Sequence, residues 1–380
     1  MRWQARDLAV EQSDALPGMR RLAGLVRSVQ TPEFAGVTFH EVLSRSALNR
    51  VPGTSPMPFS WTLNPYRGCS HACRYCFARK THEYLDFDAG ADFDSQIVVK
   101  TNMADVLRQE VFRPRWTREH VAMGTNTDPY QRAEGRYRLM PGVIEALAGS
   151  RTPFSILTKG TLLARDLPLL GAAAEHVPVG IGVSLALLDP GLQAVLEPGA
   201  PSPQARLALI RKIRAAGLEC GVFIAPVLPY LTDSTEQLVL LVQALAEAGA
   251  TGISGIALHL RPGAKEWFFQ WLGAARPDLV PRYRALYAGG ANLRAQLRHE
   301  VSNRIRRICD GLGLTGFGDS IRDGNSGSGG SGPEPEDAAL GVPGDPESRF
   351  PDGSLPRGTG GRGRAAPVGT IGAEPGPTLF

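Results

Sequence analysis

Six short apolar runs, separated by segments of helical periodicity, constrain what this chain can fold into. The runs lie at 59–63 (FSWTL), 121–123 (VAM), 154–157 (FSIL), 179–185 (VGIGVSL), 221–225 (GVFIA) and 253–260 (ISGIALHL). Several lack strict alternation, as strands covered on both faces do. Helical patterns fall between them at 103–112, 141–148, 162–173, 203–216 and 236–248. In the last of these Leu238, Leu241, Val242 and Leu245 share one face, while Gln237, Gln243 and Glu247 lie largely off it. Strands alternating with helices imply right-handed βαβ crossovers. The expectation is a parallel α/β fold, open or curled into a partial six-stranded (β/α) barrel, with its active site at the C-terminal ends of the strands.

Three stretches follow. Residues 1–58 are expected as an N-terminal extension packed on the barrel, with 37–43 (VTFHEVL) an extra strand or short helix. His40 and Glu41 there are adjacent, so on a strand they face opposite sides and are expected to be structural. Residues 59–322 are expected as the barrel, closed by a C-terminal helix. In that helix Leu293, Leu297, Val301, Ile305, Ile308 and Leu312 make one apolar stripe, and Arg294, Arg298, Arg304, Arg306 and Arg307 decorate the other faces. Those arginines suit either a solvated surface or an approach to phosphates. Residues 323–380 hold 15 Gly and 9 Pro, with few large apolar side chains, and are expected as a disordered tail.

With 43% apolar residues in 380, the chain is long enough to bury a sizeable core, which excludes disorder throughout. Residues 1–322 carry 37 Lys and Arg against 29 Asp and Glu, a formal +8 against +4 for the whole chain. That excess permits a nucleic-acid partner and equally suits a solvated surface. The first residues, MRWQARDLAVEQSDA, lack an apolar signal core, and no run reaches the ~18 apolar residues of a spanning helix. A cytoplasmic protein without membrane contact, and a monomer, is expected.

Of five cysteines, Cys69, Cys73 and Cys76 fall in C-x3-C-x2-C spacing on the loop after the first strand, in NPYRGCSHACRYCFAR. Such clustering argues for metal ligation over disulfides. Three thiolates on a [4Fe-4S] cluster would leave one iron with an open position. A zinc site would need a fourth ligand, which His71 or His82 could supply. This spacing, with Tyr75 just before the last cysteine, resembles the signature of the radical S-adenosylmethionine (SAM) superfamily, whose fold is a full or partial (β/α) barrel. The wider string NPYRGCSHACRYCFARKTHEY, then IVVKTN and GTNTDPYQRAE, resembles the branch related to spore photoproduct lyase, over approximately residues 37–318.

The resemblance implies a [4Fe-4S] cluster whose unique iron chelates SAM, reductive cleavage to a 5′-deoxyadenosyl radical, and hydrogen abstraction from a substrate the sequence does not identify. It also implies an electron donor such as flavodoxin or ferredoxin. The Gly-Gly-Glu stretch with which many members hold the methionine amino group is missing. As in the lyase-like branch, the resemblance gives that task to Thr127 and Asp128. Read from the residues alone, Asp128 equally suits an Asp-Pro turn that caps its own backbone. The resemblance further places Tyr75 beside the cofactor, Lys159 at the methionine carboxylate, and Ser184 near the ribose or carboxylate. Arg261, after the last strand, suits either substrate binding or a structural ion pair.

One departure stands out. Spore photoproduct lyases carry a hydrogen-donating cysteine where this chain has Thr125, whose O–H bond is too strong for that task. Cys220 and Cys309 are expected to be buried structural thiols. The competing reading is a non-catalytic nucleic-acid-binding module in which Cys69, Cys73 and Cys76 hold zinc. Because the tail lacks core-forming side chains, removing residues 323–380 is expected to leave the melting temperature and iron content unchanged; a large fall in either would contradict it.

Overall fold

The computed structural model describes residues 6–8, 24–52 and 57–314, so the expected tail lies outside the described residues. Its strands are β1 (Arg6–Leu8), β2 (Leu25–Gln30), β3 (Thr38–Val42), β4 (Leu48–Arg50), β5 (Trp61–Leu63) and β6 (Tyr66–Arg67). They continue with β7 (Gln96–Lys100), β8 (Val121–Met123), β9 (Phe154–Thr158), β10 (Val179–Ser184), β11 (Gly221–Val227) and β12 (Gly252–Ala257). Strands β5, β8, β9, β10, β11 and β12 lie side by side in chain order, all parallel. This is the partial barrel that the six apolar runs imply. β4 adds antiparallel to the outer edge of β5, from within the segment expected as the N-terminal extension.

Helices cover the crossovers at Met103–Val111, Leu139–Gly149, Leu167–Ala174, Pro203–Ala215 and Thr235–Glu247. Their starts are written locally: Ser202 accepts the Ala205 N–H, and Ser234 forms a capping box with Gln237. The terminal helix, Ala295–Gly311, buries Val301, Ile305 and Cys309. Ile305 lies so close to β12 that a Cβ on Gly255 would meet its Cδ1 at 2.1 Å. Among the described residues no helix is long and apolar enough to cross a membrane.

A second sheet, ordered β1-β2-β3-β7-β6, stands beside the barrel sheet in the chain's path. His40 is buried between Ser28 Oγ and Gln96 Oε1, each 2.8 Å away, and burial lowers its pKa. Glu41, on the opposite face, pairs with Arg27 at 2.8 Å and accepts the Tyr137 hydroxyl at 3.0 Å. Both residues are therefore structural, as expected. Cys220 and Cys309 are buried too, and burial pushes their thiols up to about 12 and about 11. Only two residues separate β5 from β6, so the chain leaves the barrel sheet for the second sheet just before the cysteines.

Because Ile305 is 2% exposed and fills the space over Gly255, Ile305→Ala is expected to destabilise the protein by about 2–5 kcal/mol in urea unfolding. Wild-type stability would mean that the terminal helix does not close the core.

Candidate active site

The cysteine loop begins at Gly68, whose φ of +76° is costly for any side chain, and a Cβ there would meet Phe93 O at 2.9 Å. Cys69 N–H then bonds Phe93 O at 2.9 Å, and Ala72, at φ +54°, turns the chain back to Cys69 O. On the barrel side, Arg74 N–H bonds Leu196 O at 2.8 Å and Gly199 N–H bonds His71 O at 3.0 Å. A Cβ on Gly199 would lie 1.9 Å from Ser70 O, so only glycine permits this approach. Beneath the loop, fully buried Arg79 holds Cys73 O through Nη2 at 2.9 Å and pairs with Asp94 at 2.8 Å. Its guanidinium lies over Phe93 and Trp267.

Cys69 and Cys73 are buried and Cys76 partly so. Burial, and then the neighbouring charged groups and thiols, raises Cys69, while burial raises Cys76 and pushes Cys73 up to about 12. Metal-free, the three are protonated thiols, and a bound metal would displace those protons. Each of the two histidines considered for zinc has one ring nitrogen engaged: His82 Nε2 bonds Gln96 O at 2.8 Å while its buried Nδ1 has no partner, and His71 Nδ1 lies 3.3 Å from Asp128 Oδ2. Among the described residues no three His, Cys, Asp or Glu side chains are gathered around one ion position.

Asp128 sits among donors of its own chain. Its Oδ1 accepts Tyr130 N–H at 2.9 Å and the Thr158 hydroxyl at 2.5 Å, and its Oδ2 accepts Lys159 N–H at 2.7 Å and faces His71. Of the about four acceptor positions of a carboxylate, three take hydrogen bonds within the chain and the fourth lies on the His71 side. Burial would raise this carboxyl, but His71, Thr158 and the Lys159 N–H outweigh it and hold it at about 2. The Tyr130 bond is the self-capping Asp-Pro turn, and the others tie the ends of β8 and β9 together. Thr127 is likewise engaged: it donates to Gly68 O at 2.7 Å and accepts from Gln131 at 3.0 Å, bracing the start of the cysteine loop.

Lys159, Ser184 and Tyr75 do come together. Lys159 Nζ donates to Ser184 Oγ at 3.2 Å and lies 5.8 Å from the centre of the Tyr75 ring. Two residues not anticipated from the sequence complete the group. The Tyr75 hydroxyl donates to Glu197, which pairs with Arg206, and Arg206 Nη1 donates to Ser184 O at 3.0 Å. Glu197 and Arg206 are wholly buried. Burial would raise the Glu197 carboxyl, but Arg206 and Lys159 together hold it below its ordinary value. Arg206 could have been found in the sequence, since it shares a helical face with Leu209, Ile210 and Ile213.

Ser70 Oγ and Thr125 Oγ1, on the loops after β6 and β8, are buried without a hydrogen-bond partner. Arg261 lies with its guanidinium 5.6 Å from the centre of the Phe77 ring, next to Cys76. Among the described residues no ion pair holds it, which removes the structural ion-pair alternative.

If Asp128 braces the strand ends, Asp128→Asn turns donors toward donors. The metal-free protein is then expected to lose about 1–3 kcal/mol of stability, read as a lower urea midpoint with no SAM present. An unchanged midpoint would show that these bonds do not form.

A model of the radical SAM superfamily matches residues 63–242. An uncharacterised protein of Mycobacterium tuberculosis is 59% identical over 320 residues, 83% of this chain and 94% of that protein. An uncharacterised protein of Methanocaldococcus jannaschii is 26% identical over 184 residues, 48% of this chain and 64% of that one. Among solved structures, spore photoproduct lyase complexed with dinucleoside spore photoproduct matches with a TM-score of 0.55 at 19% identity, covering 72% of this chain and 79% of that chain. At that identity the likeness speaks for the fold. Radical SAM enzymes use SAM with an iron–sulfur cluster and need an electron donor. The chain belongs to the radical SAM superfamily and shares the barrel fold of spore photoproduct lyase.

Proposed function

We propose that Cys69, Cys73 and Cys76 hold one [4Fe-4S] cluster, and that SAM binds its open iron beside Lys159, Ser184 and Tyr75. The observation that carries this reading is a loop of three thiols at the strand ends, close to a half-buried lysine bonded to a buried serine. The donor set fits: soft thiols suit iron–sulfur chemistry, and the orphaned Ser70 and Thr125 hydroxyls await a polar group. When bound, the cluster and SAM supply a 5′-deoxyadenosyl radical that abstracts hydrogen from the substrate.

The chain's own residues bind and orient. Lys159, kept charged by the Glu197 carboxylate against the opposing effect of burial, suits the methionine carboxylate, a charge-assisted contact. Ser184 sits within reach of the same group. Asp128 and Thr127 act as positioning residues, the first fixing the Lys159 backbone and the second the cysteine loop. Burial of the loop excludes water from the reacting centre. A reduced flavodoxin or ferredoxin suits the role of donor. Thr125 speaks for a fate of the product radical other than reduction by a thiol at that position.

After anaerobic reconstitution, wild type is expected to hold about four irons per chain and to release 5′-deoxyadenosine with dithionite, while Cys73→Ala falls below about one iron. Cys220→Ala and Cys309→Ala keep both properties. Zinc as the sole metal, or full iron loading in Cys73→Ala, would overturn the reading.

A further inference from the structure

After β12 the chain alternates. Leu258 and Leu260 are buried, bonded through their N–H groups to Val227 O and Ala291 O, while His259 and Arg261 lie on the other side and are partly exposed. Arg261 Nε donates to His259 Nε2 at 2.9 Å. To accept there, His259 carries its ring proton on Nδ1, which donates to Asn292 Oδ1. The imidazole is thus neutral, and burial together with nearby Arg261 and Arg298 holds its pKa down against the opposing Asn292 bond.

This arrangement differs from that of three arginines held by carboxylates. Arg79 pairs with Asp94, Arg165 with Glu134 and Asp166, and Arg206 with Glu197, so each is neutralised by its partner. Arg261 is oriented by an uncharged ring and stacked on Phe77, and among the described residues no carboxylate pairs with it. Its charge therefore has no carboxylate partner among the described residues, and its guanidinium lies over Phe77, the residue after Cys76. Arg298, from the arginine-bearing terminal helix, adds a second positive charge near His259. A planar fork with undiminished charge matches a tetrahedral oxyanion.

We propose that Arg261, oriented by His259 and backed by Arg298, binds a phosphate-type oxyanion on the substrate next to the cysteine loop. The proposal rests on the reading of that loop as the cluster site, and it assigns the substrate to phosphate-bearing molecules. The methionine carboxylate of SAM is the other oxyanion that could reach this rim, so the test separates the two.

The test titrates inorganic phosphate, and separately SAM, into the reconstituted full chain by anaerobic calorimetry, using wild type, Arg261→Gln and Arg261→Lys. Phosphate affinity is expected to fall about tenfold or more in Arg261→Gln and less in Arg261→Lys, which keeps charge but not the fork. Iron content, melting temperature and SAM affinity stay at wild-type values. Equal phosphate affinity in wild type and Arg261→Gln, or no phosphate binding by wild type, would overturn the proposal. So would a variant in which SAM affinity alone falls. Failure of the cluster reading is visible separately: a chain that loads no iron yet binds phosphate through Arg261 would refute the cluster and keep the anion site.

Discussion

A wholly buried ion pair, Glu197 with Arg206, is the interaction on which the mouth of the barrel depends. Burying two charges costs several kcal/mol each, and their attraction offsets that only with good geometry and further hydrogen bonds. Both conditions hold. Glu197 also accepts the Tyr75 hydroxyl, and Arg206 also donates to Ser184 O. The pair therefore fastens the cysteine loop to the end of β10 and to the helix Pro203–Ala215. Removing either partner would strand the other charge in the interior, at a cost of about 3–5 kcal/mol.

Two further anchors hold the loop from its other sides. Arg79 grips the Cys73 carbonyl from beneath, and the Thr127–Gln131 pair grips Gly68 O at the loop's start. Asp128 then ties β8 to β9 through the Lys159 backbone, which sets where the Lys159 side chain begins. The outcome is a braced backbone: Cys73 O, Gly68 O and the Lys159 N–H are held by bonds within the chain, which lowers what is left to order when a ligand binds. Arg261 fits the same logic from the β12 side, with a neutral imidazole as its brace.

The barrel was legible because its signal is local. Each of the six apolar runs coincides with a parallel strand, with ends shifted by at most three residues, and the cysteine spacing marked the loop directly. What escaped was built from distant pairs. Tyr75 and Glu197 lie 122 residues apart, and His40 meets Gln96 across 56, so nothing in either neighbourhood announces its partner. The second sheet was hidden for the same reason, since β7 pairs with β3 across an intervening cysteine loop. Asp128 shows a different limit. Its residue type and position suit both a ligand and a turn cap, and the donors around it, Thr158, Lys159 and His71, come from segments that its own neighbourhood does not announce.

The account joins a rigid polar frame at the strand ends to the cluster proposed there and to the anion site proposed at Arg261. Its central claim is that the three-cysteine loop carries a cluster with an iron open to SAM. Electron paramagnetic resonance of the dithionite-reduced protein, recorded before and after adding SAM, tests it most directly. The account predicts an S = 1/2 signal whose g values shift when SAM is added, because the open iron gains ligands. No paramagnetic signal, or one that SAM leaves unchanged, would contradict it.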